Sequence, residues 1–372
     1  MIKRLYVHNF RSLINFEVEP AGLTLLMGPN GAGKSALLDV LDRIRRLVSD
    51  GERLEGVFPR SELPVEGVSH KDPMLRLELD LDAPGEKERY YYRLAVEYDP
   101  ERNKQRITYE SLKLADTTLF RSEKGEAQLH RDDGSAGPGF PMDWGQSGVG
   151  FLMERKDNQK LSRFKDYLRR IWVVRLNPFS MLDETRQEAE RPRMDMQNFA
   201  DWYRHVALAY PDALQAIRDD LQERMPGFKT LRLAQAGEAS VLKLDFEDNV
   251  AYRFSQLSEG QRALIVLYAV MRGLAARRGA TLCIDEPENF LALPEIQPWL
   301  DTLEDLTEEE SLQVVLISHH PRLLNFLAAG HGWWMTRDDG TGPTRCRKIG
   351  PSDSGAPINM DELVERGWVN GG

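Results

Sequence analysis

"LTLLMGPNGAGKSALLDVLDRIRRLV", residues 23–48, decides the fold of this chain. "LTLLMG" at 23–28 is a short apolar run, the pattern of a strand buried on both faces, and it leads straight into the glycine turn. Gly28-Pro29-Asn30-Gly31-Ala32-Gly33-Lys34-Ser35 then fits G-x-x-x-x-G-K-[ST] at every position. Leu37, Leu38, Leu41, Ile44 and Leu47 follow at helical spacing. Strand, glycine loop and helix in that order are the context a phosphate-binding loop requires. The glycines let backbone N–H groups of Asn30, Gly31, Ala32 and Gly33 turn toward phosphate oxygens. The helix beginning near Ser35 and Ala36 adds the positive end of its dipole. Lys34 supplies a point charge to the β- and γ-phosphates, and Ser35 a hydroxyl for Mg2+. The ligand this pattern points to is ATP with Mg2+.

Working outward, a second apolar run, "ATLCIDE" at 280–286, ends in two acids. A carboxylate at the C-terminal end of a buried parallel strand faces the crevice where α/β sheets hold ligands. Asp285 suits Mg2+, directly or through water, and Glu286 suits polarisation of an attacking water. A third run, "VVLISHH", ends in His319 and His320. His319 is placed to reach a γ-phosphate from the strand tip, and His320 reads as structural. "SQLSEGQR" at 255–262 opens a long apolar-faced helix. Ser258 is its N-cap, and Gly260 and Gln261 lie in its first turn, with exposed N–H groups that make a second anion site. The plainer reading of that stretch is a helix cap and nothing more.

The rest of the chain supplies lobes. Residues 2–9 and 14–20 alternate as half-buried strands. From about 75 to 130, period-two segments broken by Pro, Gly, Asp and Asn read as an antiparallel meander. The Gly/Pro-rich stretch 132–150 reads as a loop. Residues 154–170 read as helix, 171–178 as a strand, 183–226 as largely helical, and 230–248 as a hairpin. A last strand, "GWWMTRDD" at 332–339, precedes a polar tail, although Asp338-Asp339 in "TRDDG" also read as a turn. The expected domains are an N-terminal ATPase lobe (1–178), a helical lobe with hairpin (179–250), and a C-terminal ATPase lobe (251–372). There are no internal repeats and no sustained heptads, which argues against a long coiled-coil arm.

Composition fits these readings. The chain has 372 residues, a net charge of −10 and only two cysteines. Two cysteines exclude a disulfide framework or zinc cluster and fit a reducing cytoplasm. No apolar run is long enough to span a bilayer, so no membrane role is expected. The acidic field repels nucleic acid as a whole. One local exception is 151–175, with eight Lys/Arg against three Asp/Glu. That run offers a surface for a DNA or RNA backbone, or it is a solvated helix face.

Taken together, "GPNGAGKS", "LSEGQ" at 257–261, "IDEPENFL" at 284–291 and "SHHP" resemble the ABC-type ATPases of the RecF/SMC class, and within it the stand-alone bacterial AAA family ATPases of DNA repair and anti-phage defence. "HNFRSL" at 8–13 resembles the segment of this class in which an Arg and a Ser approach the nucleotide, here Arg11 and Ser12. "MDMQNFADWYRHV" at 194–206 resembles its small helical lobe. The signature departs from the class pattern "LSGGQ" at Glu259, where the side chain need not touch phosphate. Gln146 and Gln159 are both candidates for the glutamine that couples the lobes to Mg2+.

The resemblance implies an α/β fold of ABC-ATPase type, with an inserted antiparallel lobe, a small helical lobe and no long coiled coil. It implies that the signature of one subunit closes over ATP held by the loop of another. Lys34 and Ser258, 224 residues apart, would then serve different ATP molecules. The expected function is a slow ATPase that dimerises, or assembles further, on ATP and gates a separately encoded effector. The alternative is a non-hydrolysing, ATP-dependent scaffold that restrains a toxic effector or nucleic acid.

Overall fold

The computed structural model describes residues 1–62, 74–83, 88–99, 104–320, 327–328, 330–337 and 340–349. The chain divides into two compact units, Met1–Ile171 with Leu323–Gly372, and Trp172–Arg322.

The first unit opens with β1 (Ile2–His8), β2 (Phe16–Val18) and β3 (Leu23–Met27), the last buried at all five positions. α1 (Lys34–Val48) and the single turn α2 (Leu54–Val57) follow. Next come β4 (Leu75–Asp82), β5 (Arg89–Asp99), β6 (Lys104–Leu114), β7 (Thr117–Glu123), β8 (Glu126–His130) and β9 (Ala136–Pro141). They join the first two strands in an antiparallel sheet of order β2-β1-β4-β5-β6-β7-β8-β9. Alternation drives this sheet. Tyr90, Tyr92, Leu94 and Val96 of β5 are buried while Arg89, Tyr91 and Arg93 are not. The buried tyrosines meet Phe164 of α4 (Gln159–Arg169) at ring-centroid distances of 5.4 and 5.5 Å. Before α4 stands the single turn α3 (Gly148–Phe151). β9 corrects the loop expected over 132–150. It ends the sheet with its side chains mostly in water, and an edge strand tolerates glycine and proline that a central one would not.

The second unit begins within β10 (Ile171–Val174), at Trp172, and continues with the short β11 (Glu184–Thr185). α5 (Phe199–Ala209) and α6 (Pro211–Arg224) follow, with a proline at the first helical position of α6. The helical expectation over 183–226 therefore holds only from Phe199. β12 (Phe228–Ala236) and β13 (Ala239–Phe246) form the expected hairpin, completed by β14 (Ala251–Arg253). The long α7 (Glu259–Ala275) is mostly buried and packs chiefly against α6. A bidentate pair from Arg272 to Asp220, at 2.7 and 2.9 Å, ties α7 to α6. With 17 residues, α7 is the longest helix among the described residues, too short for a coiled-coil arm. β15 (Ala280–Asp285), α8 (Leu293–Glu308) and β16 (Leu312–Ile317) complete the unit. Its strands lie in the order β10-β15-β16, and β15 and β16 are parallel with Asp285 opposite Ile317.

The chain returns to the first unit with β17 (Gly332–Arg337), parallel to β3, and β18 (Thr344–Lys348), antiparallel to β17. β18 corrects the polar tail expected there. Asp338 and Asp339, expected in a turn, lie outside the described residues. No described helix is long and apolar enough to cross a membrane.

Candidate nucleotide-binding site

In the first unit the glycine loop takes the shape its sequence demands. Gly28, Gly31 and Gly33 all have positive φ. At Gly28 a Cβ would lie 2.0 Å from the carbonyl oxygen of Met335. Gly33, at φ 99°, is the N-cap of α1, so Lys34 is the first helical residue. Lys34 Nζ donates to the carbonyls of Gly28 and Pro29, at 2.7 and 3.1 Å, folding the buried side chain back under the loop. The Ala32 N–H donates to Pro29 O at 3.2 Å. Asn30, Gly31 and Ser35 are exposed, while Ala32 and Ala36 are buried.

Ser12 reaches the loop through a residue that sequence reading missed. Thr344, 1% exposed, donates from Oγ1 to Ala32 O at 2.9 Å and lies 2.8 Å from Ser12 Oγ. A carbonyl only accepts and Thr344 has one proton, so the Ser12 hydroxyl donates to Thr344. The Thr344 N–H also donates to Ser12 O at 2.8 Å. Both hydroxyls crowd Gly33, whose Cβ would come within 2.6 Å of Thr344 Oγ1 and 2.9 Å of Ser12 Oγ. Arg11 is engaged elsewhere. Its guanidinium pairs with Asp39 of α1 at 2.5 Å and with Glu62 at 3.2 Å.

In the second unit Asp285 closes β15 with its side chain only 12% exposed, and it accepts from Arg175 Nε at 3.0 Å. Glu286 leaves the strand in a left-handed conformation, φ 51° and ψ 58°, while its N–H still donates to Ile317 O at 2.9 Å. Strain of this kind in a non-glycine residue costs roughly 1–3 kcal/mol and clusters at functional positions. The Glu286 carboxylate is held at both oxygens: Oε1 lies 2.9 Å from His319 Nδ1 and Oε2 accepts from Asn289 Nδ2 at 2.9 Å. That contact puts a proton on His319 Nδ1 and leaves Nε2 as the outward nitrogen.

Behind them Glu288 is buried and accepts from the Ser318 hydroxyl at 2.5 Å. Ser318 Oγ in turn receives the His320 N–H at 3.1 Å, so one serine anchors the whole Ser318–His320 segment. Burial pushes the Glu288 carboxyl above its ordinary value, against the bond from Ser318, which pulls it down.

The signature turn is a reciprocal cap. The Gln261 N–H donates to Ser258 Oγ at 3.2 Å, and the Ser258 N–H donates to Gln261 Oε1 at 3.1 Å. Gly260 fits because a Cβ there would come within 2.9 Å of Phe290 O. The turn is thus pressed onto the segment that follows Glu286.

Each unit gathers part of the expected set. The first joins Ser12 to Ala32 and Gly33 and turns Arg11 toward α1. The second joins Glu286 to His319, and Gly260 to the 287–290 turn. For the glutamine, the Gln146 N–H donates to Asp143 O at 3.2 Å, and the Gln159 N–H to Asp132 Oδ2 at 2.9 Å. The basic run is partly committed to its own lobe. Lys165 Nζ donates to the carbonyls of Gly150 and Leu152, and Arg169 and Arg155 pair with Asp166 and Asp157.

A family model described as "AAA domain, putative AbiEii toxin, Type IV TA system" matches residues 23–141 and 154–325, most of the chain. The chain belongs to this AAA_21 family. A search of curated proteins finds no significant match. Among solved structures, the chain resembles an Smc head bound to the C-winged helix domain of ScpA. Identity is 14%, with 94% of this chain and 98% of that one covered and a TM-score of 0.54. It also resembles an Smc head with an extended coiled coil, bound to the C-terminal domain of ScpA and derived from Pyrococcus furiosus. There identity is 13%, coverage 98% and 99%, and the TM-score 0.53. This AAA_21 protein therefore has the α/β fold of an ABC-type ATPase head in the RecF/SMC class.

Proposed function

We propose that this protein binds Mg-ATP at the 28–36 loop, pairs head to tail on ATP, and hydrolyses it slowly to drive a partner protein. The observation that carries the reading is Glu286, an acid at the tip of a buried parallel strand, aimed by His319 and Asn289 at once. A carboxylate held at both oxygens is oriented for general-base work on a water. His319 turns its other nitrogen outward to meet a γ-phosphate. Lys34, Ser35 and the N–H groups of residues 30–36 hold the phosphates, with Ser12 beside the loop; Arg11 joins them only by leaving Asp39 and Glu62.

The donors fit Mg2+, which prefers hard oxygens and keeps several waters and phosphate oxygens in its shell. Ser35 offers an exposed hydroxyl and Asp285 a carboxylate. When bound, Mg2+ neutralises charge on the phosphate oxygens.

The composite site needs Ser258, Gly260 and Gln261 to face the ATP of a second copy. The output is a shape change passed to a separately encoded effector. Two things support that step: the toxin named in the family's description, and the resemblance to ATPases of phage defence and DNA repair.

The test is molar mass by light scattering of Glu286→Gln with and without Mg-ATP, repeated with Ser258→Arg added. An ATP-dependent dimer that Ser258→Arg abolishes supports the composite site. A mass indifferent to both changes refutes it. Phosphate release that survives Glu286→Gln would remove Glu286 from the chemistry.

A further inference from the structure

A strap from Arg175 to Asp183, between β10 and β11, touches both working parts of the second unit. At one end Arg175 pairs with Asp285 through Nε, while its N–H donates to Met194 O at 2.8 Å. Three residues on, Pro178 O accepts from Arg262 at 2.6 Å. Arg262 is the buried fourth residue of α7, directly after the signature turn. Phe179, 72% exposed, stands edge-on to Phe290 at 6.1 Å, in the turn whose carbonyl abuts Gly260. One continuous set of contacts therefore runs from Asp285 through Arg175, Pro178 and Arg262 to the N-terminus of α7.

An acid as enclosed as Asp285 requires a compensating cation. Arg175 supplies one through a directional guanidinium bond. Mg2+ seeks the same carboxylate with a higher charge and a shorter approach. We infer that Arg175 and Mg2+ exchange at Asp285: the arginine is the counter-ion until Mg2+ arrives with ATP. Its displacement frees the Arg175–Phe179 strap and loosens the hold of Pro178 on the signature helix. Metal occupancy at one end of the unit is thereby reported to the turn that meets the second subunit. The inference rests on the reading above, in which Asp285 meets Mg2+.

The experiment uses the full chain carrying Glu286→Gln, a fluorescent ATP analogue and a MgCl2 titration, alone and with Arg175→Gln or Arg175→Lys. Hydrogen exchange of residues 175–183 is followed in parallel. Removing the competitor lowers the Mg2+ concentration at half-saturation about tenfold for Arg175→Gln, equivalent to about 1.4 kcal/mol. Arg175→Lys moves it the same way by less, because an ammonium keeps the charge but not the planar fork. In the Arg175 protein Mg-ATP speeds exchange of the strap, and in Arg175→Gln exchange is already fast without nucleotide. An unchanged half-saturation overturns the exchange. So does a lowered half-saturation with a strap indifferent to nucleotide, which would make Arg175 a through-space charge only. If Arg175→Gln fails to fold, Arg175→Lys decides by the same two readouts. An Arg175 protein that binds no analogue at any Mg2+ concentration overturns the nucleotide reading itself and this inference with it.

Discussion

Replacing Thr344 by valine tests whether the phosphate loop owes its shape to a residue more than three hundred positions away. The substitution is nearly isosteric and keeps the backbone bond to Ser12 O at 2.8 Å. It removes the donor to Ala32 O and the acceptor for the Ser12 hydroxyl. Thr344 is 1% exposed, so water does not take its place. A buried neutral hydrogen bond contributes about 1 kcal/mol, and stranding a buried acceptor costs about 1–3 kcal/mol more. Ser12 is half-exposed and recovers part of its loss from solvent. The total comes to about 2–3 kcal/mol, lost wherever the loop must hold its closed form. If phosphate binding must restore that form, about 2 kcal/mol appears as a roughly 30-fold weaker affinity for Mg-ATP. The assay is equilibrium binding of a fluorescent ATP analogue beside a thermal melt, with Thr344→Ser as the control that keeps the hydroxyl. A valine variant that binds as tightly as Thr344→Ser would refute the role of Thr344 in the loop. A lowered melting temperature with unchanged affinity would confine that role to the fold.

Three further outcomes follow from buried groups and close approaches. Burial raises the Glu288 carboxyl above its ordinary value of 4.5, so only between that pH and the raised value does the folded state bind more proton than the unfolded one. Its contribution to stability is fully present below pH 4.5 and is lost as pH rises through the raised value. In thermal melts, Glu288→Gln therefore gains on the parent as pH rises and converges with it toward acid. Glu110 is buried in the antiparallel sheet and accepts from Tyr92, Ser147 and the Gly148 N–H at 2.9, 2.5 and 2.6 Å. Glu110→Gln keeps one acceptor oxygen but sets an NH2 against the donors at the other position, the Gly148 N–H or the Tyr92 and Ser147 hydroxyls, and lowers stability by about 1–3 kcal/mol, read by urea denaturation. Gly260→Ala drives a Cβ to 2.9 Å from Phe290 O. It displaces the signature turn, and light scattering should show loss of the ATP-dependent dimer while the analogue still binds.

What the sequence made legible is what contiguous residues decide. The strand, loop and helix over 23–48 are dictated by an apolar run, glycines at positions needing positive φ, and helical spacing. The cap at Ser258 and Gln261 spans three residues. Where long-range pairing decides, the signal was weaker. β9 lies at a sheet edge with most of its side chains in water, so burial imposed no period on its sequence. Residues 186–198 between β11 and α5 show a helix-like composition but take no regular form. β18 alternates too little to stand out from a polar tail, and nothing local marks its Thr344.

Arg175 is a different case, because a physical signal was available. β10 and β15 are adjacent, apolar strands; β15 ends in Asp285 and Arg175 follows β10 directly. Neighbours that run parallel place such ends side by side. An acid at the tip of one buried strand is costly without a cation, and an arginine one residue past the tip of the next can supply it. Reading "IWVVR" against "TLCID" on that basis pairs Arg175 with Asp285 before any distance is measured. The pairing also says which is the exchangeable partner. Asp285 is fixed at the end of its ladder opposite Ile317, whereas Arg175 begins a strap without regular structure. A stronger cation at the acid therefore moves the arginine and leaves the sheet in place.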